Sequence, residues 1–245
     1  MSRVSPCDVT PTSFEATLRS APQDEGYWDT GASLEILILR RSEAALKDVD
    51  FGPTRLDDPA DASNLRHMQS KLDFAIVPAG PSDADGLAGV HVQSWRETYP
   101  GILPSGYLER MSAPLHARRW RSRLMQLNEI TLVAESAEGL VGFCSGDWAR
   151  GRGPETTEAE VHTLYVLKSA QGLGVGRRLM AGAVRALAAR GATSLHVAVL
   201  RDNLPARVFY EHLGGSLDGE HVELVGGASV AAVDYRWEDL AGFGG

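Results

Sequence analysis

The chain has little cysteine and no long apolar run, and each absence excludes a class of protein. Cys7 and Cys144 are the two cysteines among 245 residues, and they lie far apart in the sequence. They predict neither a disulfide framework nor the ligand cluster of a zinc site, so we expect no metal. No apolar stretch approaches the length of a membrane span, and the first residues lack the apolar core of a secretory signal. We therefore expect a cytoplasmic protein without a membrane partner.

Positive charge is also scarce, since 24 lysines and arginines stand against 32 acidic residues and give a net charge of -8. Nucleic-acid-binding surfaces need clustered positive charge, so we expect no nucleic-acid partner. The local exception is a group of arginines around Trp120, at positions 118, 119, 121 and 123. A solvated helix face is the favoured interpretation of this group, over a contact site for an anionic partner.

The most informative segment that is present is a glycine-rich turn at residues 171–178, QGLGVGRR. The apolar, β-branched run at 161–167 predicts a buried strand before it. A strand, a glycine turn and a helix N-terminus together present backbone N–H groups and the positive end of a helix dipole, which favours a bound phosphate. Two arginines in the first helical turn add positive charge. The helix is predicted by apolar residues at helical spacing: Leu179, Met180, Val184 and Leu187.

Two common phosphate-binding fingerprints fail at this turn. The pattern G-x-G-x-x-G requires glycine at position 177 or 179, where the chain has Arg177 and Leu179. The pattern G-x-x-x-x-G-K-[ST] has no match in the chain. A nucleotide-binding enzyme is therefore disfavoured, and Q-x-x-G-x-G at a strand-to-helix turn remains.

That turn resembles the acyl-CoA pyrophosphate loop of the GNAT superfamily of N-acyltransferases. Two neighbouring motifs and, more loosely, one segment farther upstream carry the same resemblance. Residues 160–166, EVHTLYV, resemble the family's fourth strand, E-[LV]-x-x-L-Y-V, and residues 73–77 more loosely resemble its first strand. The signature N-x-x-A-x-x-x-Y-x-x-x-G, which follows the family's fifth strand, is matched by Asn203, Ala206, Tyr210 and Gly214.

The resemblance implies an α/β fold with a central mixed, mostly antiparallel sheet, splayed fourth and fifth strands, and flanking helices. We place this GNAT-like N-acetyltransferase domain at residues 71–245. Residues 1–70 form an N-terminal extension that we expect to be largely disordered, because its one apolar patch has no periodic partner. Met68 allows a second interpretation, in which the upstream segment is an over-extended reading frame. Gly215 stands where the family usually has an aromatic residue, which predicts looser local packing.

Local patterns predict the remaining elements. A helix is expected from Ser82, as its cap, to Tyr99. A second helical stretch is expected from 107 to 127, interrupted near Pro114. Two hairpins are expected, one from residues 130–135 and 140–148 and the other from residues 222–225 and 230–237.

Acetyl transfer from a thioester to an amine dictates what the site must contain. An alkylamine is mostly protonated at neutral pH, so the site needs a proton acceptor, an oxyanion donor and an acid for the departing thiolate. Glu160 matches the family's glutamate and is the predicted base, acting through water; a strand-end surface carboxylate or hydrogen-bond partner is its equal alternative. His162, on the same strand face unless a bulge intervenes, is an alternate base, although a structural histidine is favoured. Cys144 as an acyl carrier is disfavoured for want of a partner histidine.

The resemblance also assigns residues to the cofactor, acetyl-CoA. Tyr210 is favoured as the proton donor to the thioester sulfur, over a packing role. Asn203 is expected to cap the following helix and hold the cofactor's amide arm, although a cap alone explains it equally. The pantetheine arm is expected to pair with the backbone of Leu164, Tyr165 and Val166. The pyrophosphate is expected on the turn, at Gln171, Gly172, Leu173, Gly174, Val175, Gly176 and Arg177.

The sequence indicates fewer residues for the acceptor pocket than for the cofactor site. By resemblance, the first helices and the loop between them shape it, which points to Trp95, Arg96, Tyr99 and the loop at 100–104. An aromatic pair can hold an ammonium by cation–π contact, but core packing is the favoured interpretation. The loop at 151–154 is a second candidate wall.

Two functions from different classes follow. The first is an N-acetyltransferase that moves the acetyl group of acetyl-CoA to a primary amine of a small molecule or peptide by direct attack. The second is a non-catalytic acyl-CoA-binding module with a regulatory or sensor role. Glu160 and Tyr210 together favour the enzyme. The sequence leaves open whether the chain forms a homodimer.

Overall fold

The computed structural model describes residues 73–126, 129–149, 156–241 and 243. The predicted N-terminal extension, Met68 and the loop at 151–154 lie outside these residues. The described strands are β1 (Phe74–Pro78), β2 (Ile130–Ser136), β3 (Gly139–Trp148), β4 (Glu158–Val166), β5 (Ser194–Leu200), β6 (Ser216–Val225) and β7 (Ala228–Trp237). The described α-helices are α1 (Ala84–Thr98), α2 (Ser105–Arg110), α3 (Ala113–Arg123), α4 (Val175–Ala188) and α5 (Leu204–His212).

The strands form one sheet in the order β1-β2-β3-β4-β5-β7-β6. Neighbouring strands run antiparallel except β4 and β5, which are parallel. These two strands pair over only three residue pairs, of which the last joins Glu160 to His196, and then they diverge. The expected fold class, a mixed and mostly antiparallel sheet with splayed fourth and fifth strands, is confirmed.

The two faces of the sheet carry different cores. Successive strand residues point to opposite faces. Phe143 and Tyr165 contact aromatic rings of α1 and α3, whereas Cys144 and Leu164 belong to the apolar cluster that includes α4. The helical spacing predicted for α4 is confirmed, since its buried residues include Leu179, Met180, Val184 and Leu187.

A buried histidine pair lies where α1 meets α3. The ring centroids of His91 and His116 are 4.5 Å apart, and aromatic side chains surround His91. Burial is the main cause that lowers the pKa of both rings, and the charge of Arg119 adds to it. The pKa of His116 falls to about 4, and repulsion from His116 lowers that of His91 further. Both histidines are therefore neutral in the folded protein near neutral pH.

This pair predicts a loss of stability in acid. A histidine whose folded pKa lies below its unfolded value of 6.5 stabilises the fold above that pH, and the stabilisation is lost as the pH falls. For His116 the loss is about 2 kcal/mol at about pH 5. Urea unfolding at neutral pH and near pH 5 measures it. The variant His116→Gln should flatten the dependence, whereas His212→Gln, at an exposed position in α5, should leave it unchanged. Equal slopes in all three proteins would contradict this account.

Three predicted boundaries were wrong. Ser82 does not cap α1, because it lies inside a single 3₁₀ turn, Pro81–Asp83, and α1 begins at Ala84. The helical stretch expected at 107–127 begins at Ser105 and ends at Arg123. Its expected interruption is confirmed, since it forms two helices, α2 and α3, with Pro114 in the first turn of α3, where a missing N–H costs nothing. Strand β6 begins at Ser216 and not at Val222, because its first half is an exposed edge whose polar residues hide the strand pattern.

The expected loose packing at Gly215 was also wrong. The indole of Trp237 in β7 occupies the space beside this glycine, so a Cβ at Gly215 would stand 2.6 Å from the ring. The indole N–H donates to the carbonyl of Leu213 at 2.8 Å. An aromatic ring thus fills the position, but it comes from a distant part of the sequence.

Candidate active site

The glycine-rich turn joins the end of β4 to the start of α4. Gly172 and Gly174 adopt left-handed backbone conformations, with φ of +75° and +78°, and Gly174 is the N-cap of α4. The Gln171 side-chain amide donates to the carbonyl of Val166 at 3.0 Å, which ties the turn to the strand. A Cβ added at Gly174 would meet nothing within 4 Å, so the space beside it is open. The turn therefore leaves room for a ligand at the helix N-terminus.

The N-terminus of α4 supplies donors for an anion. The first helical hydrogen bond runs from the Arg178 N–H to the Gly174 carbonyl at 3.0 Å, and helix geometry gives the N–H groups of Val175 and Gly176 no carbonyl within the helix. The two arginines of this turn, Arg177 and Arg178, are both exposed, and in addition the Arg178 guanidinium lies 4.3 Å from the Phe74 ring centroid. Arg178 thus lies in the first turn of α4 and also contacts β1, and the charge that both arginines are expected to add at the turn stays a prediction.

Tyr210 of α5 is fully buried, with its ring against Tyr235 and Trp237. Its hydroxyl has no hydrogen-bond partner among the described residues. Burial raises the pKa of this phenol well above its usual value, and the nearby Cys144 and Tyr99 add to the shift. Leaving a buried hydroxyl unbonded costs about 1–3 kcal/mol. A ligand atom that accepts this proton would remove the cost. The role of Tyr210 as proton donor to a thioester sulfur stays a prediction.

Glu160 lies at the last residue pair before β4 and β5 diverge. It is 4% exposed, so the surface carboxylate alternative is wrong. Its Oε1 lies 3.7 Å from His162 Nδ1 and 3.9 Å from His196 Nδ1. The register with β3 jumps from Thr163 to Val161, so His162 is the extra residue of a β-bulge. Glu160 and His162 stay close together despite this bulge.

The residues predicted for the pantetheine arm pair with β3 on one side. Because β5 has left β4 beyond Glu160, the other backbone edge of Leu164, Tyr165 and Val166 lies in the opening between the two strands. Strand backbone at such an edge presents N–H and C=O groups to an extended ligand. Pairing with pantetheine stays a prediction.

Asn203 is the N-cap of α5, and its side-chain oxygen accepts from the Ala206 N–H at 3.4 Å. The predicted cap is confirmed. The additional role in holding the cofactor's amide arm stays a prediction.

The two aromatic residues predicted for the acceptor are both buried, each 2% exposed. The Trp95 indole N–H donates to the Tyr165 hydroxyl at 2.6 Å, and the Trp95 and Tyr99 rings lie 5.1 Å apart. These contacts favour packing for Trp95. Tyr99 lies close enough to Tyr210 to shift its pKa, which keeps Tyr99 near the predicted reaction centre. Their role in acceptor binding stays a prediction.

Sequence reasoning missed His196, the cross-strand neighbour of Glu160, and Asp234, whose Oδ1 lies 2.9 Å from His196 Nε2. No sequence pattern indicated that these residues meet, because β5 and β7 are far apart in the sequence. Among the described residues there is no cluster of three or more His, Cys, Asp or Glu side chains able to hold a metal. The helices of the described segments are also too short or too polar to cross a membrane.

Comparison with known proteins agrees with this geometry. The model of the Acetyltransferase (GNAT) family matches residues 92–215. The chain belongs to the GNAT family. It is similar to the uncharacterized N-acetyltransferase YuaI of Bacillus subtilis strain 168, at 31% identity over 160 residues that cover 65% of this chain and 90% of YuaI. GNAT membership and this N-acetyltransferase relative make the protein an acyltransferase.

Solved structures share the GNAT fold. PaiA N-acetyltransferase from Thermoplasma acidophilum, in complex with coenzyme A, aligns with a TM-score of 0.50 at 21% identity, covering 67% of this chain and 99% of that one. The acetyltransferase yncA from Salmonella typhimurium, with acetyl-CoA, aligns with a TM-score of 0.54 at 16% identity, covering 69% and 94%. At these identities the likeness concerns the fold.

Proposed function

We propose that this protein transfers the acetyl group of acetyl-CoA to a primary amine of a small molecule or a peptide by direct attack. Membership of the GNAT family gives acetyl transfer in general. The observation that carries the finer proposal is the buried Tyr210 hydroxyl, which has no partner among the described residues. A proton donor held in this way suits a reaction that expels a thiolate.

The turn before α4 is the proposed pyrophosphate site. Its left-handed glycines bring backbone close to a ligand without side chains, and the helix N-terminus favours negative charge. Two structures of this fold, PaiA and yncA, are complexes with coenzyme A and acetyl-CoA, which supports acetyl-CoA as the donor. Backbone N–H groups at the open edge of β4 are the proposed oxyanion donors.

Two side chains handle the protons in this proposal. Glu160 accepts one proton from the ammonium of the acceptor, directly or through water, and the resulting amine attacks the thioester carbonyl. Tyr210 gives its proton to the sulfur as the carbon–sulfur bond breaks. Burial holds the pKa of Tyr210 well above its usual value, so the phenol is protonated throughout the neutral range and gives up its proton only to the strongly basic thiolate as it leaves.

Cys144 supports direct attack over an acyl-enzyme. It is fully buried in β3, and burial raises the pKa of its thiol far above the usual value. A protonated thiol is a poor nucleophile, since the thiolate is the reactive form. Transfer through Cys144 would therefore need a deprotonation that this environment opposes.

An amine panel tests the proposal against a non-catalytic acyl-CoA sensor. Acetyl-CoA is mixed with small primary amines and with peptides that carry free amino groups, and CoA release is followed together with product mass. We expect CoA release that depends on at least one amine and matches the N-acetylated product. Tight acetyl-CoA binding without amine-dependent release would favour the sensor.

The variant Glu160→Gln is expected to lower the rate by about a hundredfold at low pH, because removal of the ammonium proton then limits turnover. The loss should shrink as the pH rises toward the pKa of the amine. A matched control is Glu129→Gln, just before β2, where a largely buried carboxylate pairs with Arg123. Its pH profile should keep the wild-type shape. Identical profiles for wild type and Glu160→Gln would exclude Glu160 as the base.

A further inference from the structure

A chain of alternating imidazole and carboxylate groups runs from Glu160 across the sheet. His196 Nδ1 lies 3.9 Å from Glu160 Oε1, and its Nε2 lies 2.9 Å from Asp234 Oδ1. The other carboxylate oxygen of Asp234 lies 3.0 Å from His221 Nδ1. His221 Nε2 in turn lies 2.9 Å from Glu223 Oε1. Both ring nitrogens of each histidine therefore face a carboxylate.

The register of four strands places these groups on one face of the sheet. Glu160 of β4 is the cross-strand partner of His196 in β5. In the pairing of β5 with β7, Asp234 lies opposite Ala198. Ala198 is two residues beyond His196, so the side chains of Asp234 and His196 lie on the same face of the sheet. A register shift after Leu217 in β6 then sets His221 opposite Ala232 of β7. The side chains thus meet diagonally across neighbouring strands.

The side chains of His196, Asp234 and His221 are all more exposed than that of Glu160. The Glu160 side chain is 6% exposed, those of His196 and Asp234 are 24% and 18% exposed, and that of His221 is 36% exposed. The chain therefore links a buried carboxylate to solvent. A buried base needs such a link, because each proton that it accepts must leave before the next turnover.

The charges around His196 favour proton uptake. Burial lowers its pKa, but the hydrogen bond to Asp234 and the charges of Glu160, Asp234 and Glu158 outweigh burial and raise it. For Asp234 the directions are reversed. Burial raises its pKa, but the interactions with His196 and His221 outweigh burial and lower it. Other titratable or charged groups on these strands near the chain include His162, Arg236, Glu223 and Asp218. An imidazole that is readily protonated thus stands between two carboxylates.

We propose that His196, Asp234 and His221 form a relay that carries the acceptor's proton from Glu160 to solvent. This inference rests on the proposed function, in which Glu160 is the base. The ammonium nitrogen loses two protons per turnover. One ends on the thiol of CoA by way of Tyr210, and the other is taken up by Glu160. His196 receives that proton on Nδ1 and releases the Nε2 proton to Asp234, from which it passes to His221 and to solvent.

The gap of 3.9 Å between Glu160 and His196 is longer than a hydrogen bond. Catalytic contacts are often long without substrate and tighten when it binds, and a single water can also bridge them. His196 is thus a positioning and relay residue and does not touch the substrate.

The test compares His196→Gln and Asp234→Asn with the wild type in the full chain, at low and at rising concentrations of imidazole buffer. In weak buffer, both variants should lose about tenfold or more in kcat, with KM for acetyl-CoA unchanged. Added imidazole should restore much of the loss, because it carries the proton that the missing group carried. The control His212→Gln changes an exposed histidine of α5 and should behave as wild type.

The outcomes separate the relay from the proposed function. Suppose that the wild type transfers acetyl groups and that both variants keep the full rate without any dependence on imidazole. That result would overturn the relay but not the proposed function. A loss of rate that imidazole does not restore would assign these residues a structural role and also overturn it. Absence of amine-dependent transfer in the wild type would overturn the proposed function. The contact between His196 and Asp234 can be tested by itself. NMR titration should give His196 a lower pKa in Asp234→Asn than in the wild type, and an unchanged pKa would contradict the contact.

Discussion

Replacing Gly174 with alanine is expected to weaken acetyl-CoA binding by more than about tenfold, which is about 1.4 kcal/mol. The space beside Gly174 is open in the protein, and we propose that it is where the pyrophosphate lies. A methyl group there would stand between the ligand and the backbone N–H groups of the turn. Calorimetric titration with acetyl-CoA measures the effect.

The protein offers a matched control at the other end of α4. Gly191 also has a positive φ, +102°, and a Cβ added there would likewise meet nothing within 4 Å. Alanine at either position should therefore cost the fold a similar amount, about 1–2 kcal/mol, through left-handed strain. Only Gly174→Ala should lose affinity for acetyl-CoA. Equal affinity in the two variants would mean that the pyrophosphate binds elsewhere.

Replacing Tyr210 with phenylalanine is expected to lower kcat by at least about a hundredfold, because it removes the proton donor to the thiolate. Acetyl-CoA affinity should change little. The free energy of unfolding without ligand should stay the same or rise by about 1 kcal/mol, since the change removes a buried hydroxyl that has no partner among the described residues. A residue that gains stability while losing activity is typical of a functional site.

Tyr235 provides the contrast. Its hydroxyl donates to Glu211 at 2.6 Å and accepts from Arg207 at 3.2 Å, so Tyr235→Phe removes real hydrogen bonds. We expect this variant to lose stability and to keep its kcat. If Tyr210→Phe kept the wild-type rate with several amines, Tyr210 would be a packing residue only.

The local parts of the site could be predicted from the sequence. The strand β4, the turn and α4 follow one another along the chain, and their apolar spacing and glycines determine their geometry directly. The cap at Asn203 is equally local, because it depends on a side chain and a backbone N–H three residues later. The divergence of β4 and β5 came only from the resemblance to the GNAT superfamily, since no spacing in one segment encodes where two strands part.

The features that were missed depend on contacts between distant segments. The bulge at His162 exists only in the register between β3 and β4. The contact between Arg178 and the ring of Phe74 joins α4 to β1, about a hundred residues earlier. Trp237 fills the space at Gly215 through the register that pairs Ser216 of β6 with Arg236 of β7. Glu160 and His196 meet for the same kind of reason, so no local pattern could have shown that the base has a neighbouring histidine.

The most direct test of direct transfer is one experiment that follows three species at once. Acetyl-CoA, an amine that the panel has identified and the protein are mixed at similar concentrations, and mass spectrometry measures free CoA, acetylated amine and intact protein over time. We predict that CoA and acetylated amine form at the same rate while the mass of the protein stays unchanged. An acetyl group that appears on the protein before the amine, and then moves to it, would contradict the account.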